Sequence, residues 1–84
     1  MLKINYFASL REELGVSSET LTVPVGTGSV ADLVDYLMRE RGTAWSIMAD
    51  ESRVLVAVDQ CIVARNHPLQ GDEEVAFFPP MTGG

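Results

Sequence analysis

Hydrophobic and polar residues alternate in two segments near the start of the chain. Residues 1–7 alternate, with Leu2, Ile4 and Tyr6 on one side, which is the period at which strand side chains return to one face. Phe7 falls on the opposite face, with the polar residues. Residues 19–25 alternate in the same way, and Pro24 within them is typical of a strand end or a sheet edge because proline has no N–H to donate. The pattern therefore predicts two strands.

Three segments have the spacing of helices instead. Residues 8–14 carry two leucines four positions apart and are followed by a glycine, a common residue at a helix end. Residues 30–41 repeat apolar side chains at helical spacing up to a second glycine, and Ser29 three positions before Asp32 resembles a capping box. Residues 43–49 are apolar enough to pack as a further helical turn. These patterns predict a short helix between the first two strands and one long helix after them.

The second half of the chain predicts three further strands. Residues 54–58 form a continuous apolar run with the composition of a central strand. The polar pair Asp59 and Gln60 separates this run from residues 61–63, which indicates a tight hairpin. Residues 74–78 form the last strand, and two consecutive prolines must end it.

The order of these elements predicts an α+β fold. A strand pair, one long helix and three more strands give a mixed sheet with the helix across one face, since strand-helix-strand crossovers are right-handed. This order favours a β-grasp, in which the first strand lies in parallel beside the last. The short helix is then an insertion between the first two strands, and the second face of the sheet stays free for a partner.

Length and charge narrow the possible functions. The 84 residues suffice for one domain with one core. Six basic against twelve acidic residues give a net charge of −6, which disfavours binding to nucleic acid or to an acidic membrane surface. The chain contains neither an apolar run of about 20 residues, as a membrane span requires, nor a secretory signal. We therefore expect a cytoplasmic protein without a nucleic-acid or membrane partner.

The sequence carries no recognisable catalytic or metal site. Its one cysteine, Cys61, and its one histidine, His67, are separated by a predicted strand and share no motif that would pair them. We interpret Cys61 as a sheet residue and His67 as a turn residue. One thiol and one imidazole are also too few for a Cys/His zinc site. The chain alone is thus expected to be non-catalytic, with no metal and no permanently bound cofactor.

The candidate chemistry lies at the carboxyl terminus. The two prolines that end the last strand favour an extended chain after it, and Gly83 and Gly84 have no side chain that would keep the backbone out of a narrow channel. The terminal α-carboxylate is ionised at neutral pH and unreactive toward nucleophiles, so it must be activated, and we expect an acyl-adenylate. The chain therefore divides into a β-grasp domain over residues 1–79 and a flexible reactive tail over residues 80–84.

The whole chain resembles the small subunits of molybdopterin synthase, the sulfur carriers of molybdenum cofactor biosynthesis. The most specific part of the resemblance is residues 75–84, which read VAFFPPMTGG. Further support comes from shorter motifs, namely Tyr6-Phe7-Ala8, Leu10-Arg11-Glu12, Val56-Ala57-Val58-Asp59-Gln60, His67-Pro68-Leu69 and Gly71-Asp72. Asp59 replaces the asparagine usual in that family, and the acidic turn over residues 71–74 is arranged differently.

The resemblance implies a ubiquitin-like β-grasp fold and a reaction cycle at Gly84. An ATP-dependent enzyme would adenylate the Gly84 carboxylate, and a sulfur donor would convert the adenylate to a thiocarboxylate. The loaded tail would then enter the large subunit of the synthase, within a heterotetramer, and give its sulfur to the cyclic pterin precursor to build the dithiolene. Gly83 would give the tail access to that site.

Strand parity predicts the docking surface of such a carrier. If the long helix covers the side chains of Val75 and Phe77, then Phe78 lies on the other face of the sheet. Phe7 lies on that face of the neighbouring first strand, and Ile62 on the hairpin completes an exposed apolar patch. Arg11 is a candidate at its rim. The other predicted partner-binding residues are Pro79 at the end of the domain, and Pro80, Met81 and Thr82 in the tail.

Three other functions share the same tail. A ubiquitin-like modifier would use the activated Gly84 to acylate lysines of target proteins. A sulfur carrier of thiamine biosynthesis would use the same thiocarboxylate, although the block from Phe77 to Pro80 favours the molybdenum pathway. A β-grasp interaction module with an inert tail is the third alternative.

Overall fold

The computed structural model describes residues 1–80. None of its helices has the length and apolarity needed to cross a membrane. The strands are β1 (Leu2–Tyr6), β2 (Ser18–Leu21), β3 (Leu55–Val58), β4 (Cys61–Val63) and β5 (Glu74–Phe78). The helices are α1 (Ser9–Leu14), α2 (Val30–Arg41) and a 3₁₀ helix (Thr43–Ala49).

The five strands form one mixed sheet in the order β2-β1-β5-β3-β4. β1 runs parallel to β5, with Lys3 opposite Glu74 and Tyr6 opposite Phe77, while the other neighbours are antiparallel. The predicted α+β fold, the parallel pairing of first and last strands and the inserted short helix are all confirmed. β5 lies in the middle of the sheet, so the segment that follows it leaves the domain from the centre of one sheet end.

The core lies between the sheet and α2. Phe77 is fully buried in the middle strand and its ring stacks on Tyr6 at a centroid distance of 5.8 Å. α2 packs its apolar stripe against this face, and the 3₁₀ helix adds Trp45 and Met48 to the same cluster. Truncating a buried aromatic side chain of this kind removes about 3–5 kcal/mol of stability. The principal buried residues are Leu2, Ile4, Tyr6, Val30, Leu33, Leu37, Met48, Val56, Val75 and Phe77.

Local hydrogen bonds end the helices where the sequence predicts. Gly15 ends α1 in the left-handed region at φ 76°, and its N–H donates to the Arg11 carbonyl at 3.0 Å. At the start of α2 the Ser29 hydroxyl accepts from the Asp32 N–H at 3.2 Å. The carboxylate of Asp32 accepts from the N–H of Gly28 at 3.0 Å, so the second bond of the capping box goes one residue further back than in the standard motif.

The hairpin turn between β3 and β4 requires two residues with positive φ. Asp59 has φ 50° and Gln60 has φ 72°, as in the mirror-image turns that match the twist of a hairpin. The Asp59 carboxylate also accepts from the Glu74 N–H at 3.0 Å, and the Asp59 N–H donates to the Glu74 carbonyl at 2.8 Å. The Asp59 side chain therefore ties the turn to the start of β5 through an acceptor oxygen that an asparagine would also provide.

The prediction of a second strand over residues 19–25 is wrong at its carboxyl end, because β2 stops at Leu21. Pro24 cannot extend the ladder, and its carbonyl accepts from the Thr27 N–H at 3.1 Å in a turn where Gly26 has φ 90°. Val25, which the alternation placed with the apolar residues, is fully exposed. The other element boundaries differ from the predictions by one residue or less.

A polar cluster ties the edge strand β2 to the end of α2. Arg41 donates two hydrogen bonds to the Glu19 carboxylate at 2.7 and 2.6 Å, and the Tyr6 hydroxyl donates to it at 2.8 Å. The Arg41 guanidinium also lies 4.6 Å from the centroid of the Trp45 ring. The hydrogen bonds from Arg41 hold the pKa of Glu19 below its usual value, although partial burial opposes this. Burial and the Glu19 carboxylate raise the pKa of Tyr6. The edge strand is thus held by a charge-assisted pair as well as by its ladder.

Candidate functional site

The carboxyl-terminal segment leaves the domain from the end of the middle strand. β1 and β5 remain paired to that end, where the Phe7 N–H donates to the Phe77 carbonyl at 3.1 Å. Pro79 and Pro80 follow directly and are partly buried. The remaining predicted site residues, Met81, Thr82, Gly83 and Gly84, lie outside the described residues.

The structure places the three predicted docking residues of the domain on the sheet face opposite α2. Val75 and Phe77 point into the core, so Ala76 and Phe78 lie on the other face, where Phe78 is partly buried. Phe7 is 49% exposed and Ile62 is 71% exposed. Their role in docking stays a prediction.

Strand register joins these residues into one surface through three residues that the sequence analysis missed. Leu55 lies opposite Phe78, while Ala57 lies opposite both Ala76 and Ile62. Small and apolar side chains therefore form a continuous surface across β5, β3 and β4, to which a partner protein could bind. The sequence could have predicted the pairing of Ala57 with Ile62, because both residues lie two positions from the hairpin turn at Asp59 and Gln60. We call the surface the sheet patch, formed by Phe7, Leu55, Ala57, Ile62, Ala76 and Phe78.

The other half of this sheet face is polar. Lys3 and Asn5 alternate with buried residues on β1, and Thr20 alternates with partly buried residues on β2. Together with Ser18, Glu19 and Glu74 they line a shallow depression of about 220 Å³. The free face is thus divided into an apolar half at β5-β3-β4 and a hydrophilic half at β1-β2. The tail leaves at the boundary between these halves.

A second groove lies beside the start of the tail, on the side of α1 and the 3₁₀ helix. It has a volume of about 350 Å³ and we call it the tail-base groove. Its walls are Ser9, Leu10, Glu13, Ile47, Ser52, Arg53, Pro79 and Pro80. Arg53 is the basic side chain among these residues, and it is exposed. Arg11 is also exposed on α1, but it is not part of this groove.

Cys61 and His67 are not brought together with a catalytic partner in residues 1–80. Cys61 is exposed at the first position of β4. His67 lies in a turn, where its N–H donates to the Ala64 carbonyl at 3.1 Å and its carbonyl accepts from the Val30 N–H at 3.0 Å. Within the same described range, acidic, cysteine and histidine side chains do not form a group of three or more that would hold a metal ion. The described residues thus form an apolar sheet face and the start of the carboxyl-terminal segment.

The comparison with protein families agrees with this geometry. Residues 4–84 match the model of the ThiS family. The chain belongs to the ThiS family. The match continues through Gly84, so the tail is part of the family pattern together with the folded domain. Over the full length of both chains it is 33% identical to the molybdopterin synthase sulfur carrier subunit of Escherichia coli.

Solved structures confirm the fold of this ThiS-family chain. A Pyrococcus furiosus structure described as molybdopterin converting factor subunit 1 has a TM-score of 0.72 and 24% identity, covering 95% of this chain and 97% of its own. The small archaeal modifier protein 1 of Haloferax volcanii has a TM-score of 0.71 and 21% identity, with the same coverage of both chains. Both similarities support the fold alone, which is the ubiquitin-like β-grasp predicted from the sequence.

Proposed function

We propose that this protein is the sulfur carrier subunit of molybdopterin synthase. The observation that carries the proposal is the similarity to the Escherichia coli sulfur carrier subunit, which covers the full length of both chains. The geometry is consistent with it, because a middle strand delivers the tail beside an apolar surface. The protein would act in the cytoplasm and have no catalytic activity alone.

The reaction begins at the Gly84 carboxylate. An adenylating enzyme binds ATP, and a carboxylate oxygen attacks the α-phosphorus, so that pyrophosphate leaves and an acyl-adenylate forms. A persulfide sulfur of a donor protein then attacks the acyl carbon, and the C–O bond to AMP breaks, which gives an acyl disulfide between Gly84 and the donor. A second thiol attacks the donor sulfur of that disulfide, so that a new donor disulfide forms and Gly84 is released as a thiocarboxylate. Sulfur has replaced one terminal oxygen, and the product is a much better nucleophile than the carboxylate.

Delivery requires a site that the small protein does not provide. The large subunit would enclose the tail and the cyclic pterin precursor, with the carrier and the large subunit assembled as a heterotetramer. Each carrier brings one sulfur and the dithiolene needs two, so carriers must exchange during the reaction. Two consecutive glycines let the backbone enter a channel too narrow for a Cβ atom. The folded domain then serves as the docking surface.

The sheet patch is the proposed contact with the large subunit. Phe7, Ile62 and Phe78 would be its anchors, because exposed aromatic and aliphatic side chains around a reactive segment are typical of interface cores. Arg11 would lie at the rim. The tail would supply the remaining contacts through Pro79, Pro80, Met81 and Thr82.

The loading half of the proposal is tested by intact-mass spectrometry. The protein is incubated with its adenylating enzyme, ATP and a sulfur donor, and the mass should rise by the difference between one sulfur and one oxygen. Lysine-linked adducts on other proteins, without the thiocarboxylate, would support the ubiquitin-like modifier instead. A thiocarboxylate that is delivered to a thiazole precursor but not to the pterin would support the thiamine pathway. An unchanged mass would contradict both sulfur-carrier functions.

Docking is tested by Phe78→Lys. The substitution introduces a charge into the sheet patch, where its desolvation is unfavourable, and should weaken binding to the large subunit at least about tenfold. Thr20→Lys is the matched control, because it adds the same charge to the polar half of the same face. Titration calorimetry on both variants measures the two affinities. Equal affinities for Phe78→Lys and the control would contradict the proposed contact.

A further inference from the structure

The nucleophilic groups of the chain are few and unevenly placed. Lys3 is its only lysine and Cys61 its only cysteine, while the other five of its six basic side chains are arginines. The only other amine is the α-amino group of Met1. An activated carboxyl group reacts readily with amines and thiols, so the position of these three groups decides whether the carrier reacts with itself.

Strand register puts all three nucleophiles at one end of the sheet. Lys3 lies opposite Glu74, the first residue of β5, and Met1 immediately precedes β1. Cys61 lies opposite Val58, which in turn lies opposite Val75. The tail leaves from the other end of β5, after Phe78. At about 3.3 Å per residue, the length of β5 separates the two ends by roughly 13 Å.

The length of the tail makes contact with these groups difficult. The five tail residues, together with Pro79 before them, span at most about 20 Å when fully extended. They follow β5 and so start in the direction away from Lys3. A reversal by a four-residue turn that begins at Phe78 leaves residues 82–84, or about 10 Å, to return along the sheet. This return is shorter than the roughly 13 Å back to the start of β5, whereas the tail-base groove lies directly beside Pro79 and Pro80.

The residues near the start of the tail lack competing nucleophiles of this kind. The tail-base groove contains hydroxyl, carboxylate, aliphatic and proline side chains, and its one basic residue is Arg53. A guanidinium stays protonated and does not attack an acyl group, whereas a lysine at the same position has a reactive fraction of free amine. A reactive group held close to the acyl carbon would gain a large effective concentration.

We infer that this segregation of nucleophiles protects the activated carboxyl group from acylating its own domain. The avoided step is attack of a neutral amine nitrogen on the Gly84 acyl carbon: a C–N bond forms, the bond to the leaving group breaks, and the amine releases a proton. The acyl group thus persists until an external sulfur nucleophile arrives. The inference rests on the proposed function in that Gly84 must be activated.

The test moves one amine while keeping the charge constant. In a Lys3→Arg background, Arg53→Lys places a lone lysine in the tail-base groove. The matched control, Arg39→Lys, places it on the exposed side of α2, in a depression with Asp35 and Met38 that includes no residue of that groove. Each full-length protein is prepared with a Gly84 thioester by intein cleavage, so that neither ATP nor an adenylating enzyme is needed. Loss of the thiol as an intramolecular amide is followed by intact mass and peptide mapping.

Arg53→Lys should cyclise at least about tenfold faster than Arg39→Lys, as expected for a nearby nucleophile. The unmodified sequence should lose its thioester mainly by hydrolysis. Ser9→Lys, in the same groove and background, is a second variant, and thermal unfolding confirms that each variant is folded. Equal cyclisation rates of the groove variants and the control, or equally fast cyclisation of the unmodified sequence, would overturn the inference. Because the thioester is made chemically, neither result depends on whether the protein carries sulfur.

Discussion

Deleting Gly84 should abolish sulfur loading of the carrier while leaving its free energy of unfolding unchanged. The deletion moves the terminal carboxylate back by one residue, about 3.5 Å, which is far more than an adenylating site tolerates. A misplacement of about 1 Å can already reduce a rate about 100-fold. Appending one alanine after Gly84 displaces the carboxylate in the opposite direction and should have the same effect. The core is untouched, because its residues lie in the domain that precedes the tail.

The measurement compares thiocarboxylate formation by intact mass with denaturant unfolding of the same proteins. Val25→Ala is a suitable control, since Val25 is fully exposed on the loop after β2 and belongs to neither the sheet patch nor the tail. We expect the control to load at the rate of the unmodified protein. Loading of either terminal variant at that rate would exclude Gly84 as the reactive residue.

Thiocarboxylated carrier without the large subunit should form no dithiolene from the pterin precursor. In residues 1–80, Cys61 and His67 have no catalytic partner and acidic, cysteine and histidine side chains form no potential metal site. A domain with one sheet face under a helix and the other carrying a flat patch does not enclose a substrate. Activity should appear only when the large subunit is added, and the effect is therefore all-or-none.

Chemically prepared thiocarboxylate protein, supplied with precursor and with or without large subunit, tests this directly. Unloaded carrier with the large subunit is the matched control and should also be inactive. The net charge of −6 favours encounter with a basic partner surface, so added salt should lower the association rate. Dithiolene formed by the carrier alone would contradict the carrier function and require a catalytic site elsewhere in the chain.

Local patterns were sufficient for most of the secondary structure. Alternation in β1 and β5 depends only on the period of a strand, and the glycines and prolines at element ends act through their own φ preferences. The same reasoning failed for residues 22–25, where the alternation continued after the strand had ended. Alternation shows which side chains share a face of a strand. Pairing with another strand also needs a backbone N–H, which Pro24 lacks, and a neighbouring strand in register.

The sequence alone determined the element order, the buried face of β5 and the terminal glycines, because these follow from periodicity and from residues acting on their own backbone. Which residues from distant segments meet became clear from the three-dimensional arrangement of the strands. The cluster of Tyr6, Glu19 and Arg41, the register that completes the sheet patch, and the separation of Lys3 from the tail all depend on strand pairings. Such pairings bring together residues that are far apart in the sequence. The periodicity of hydrophobic residues within one segment does not specify which other segment it pairs with.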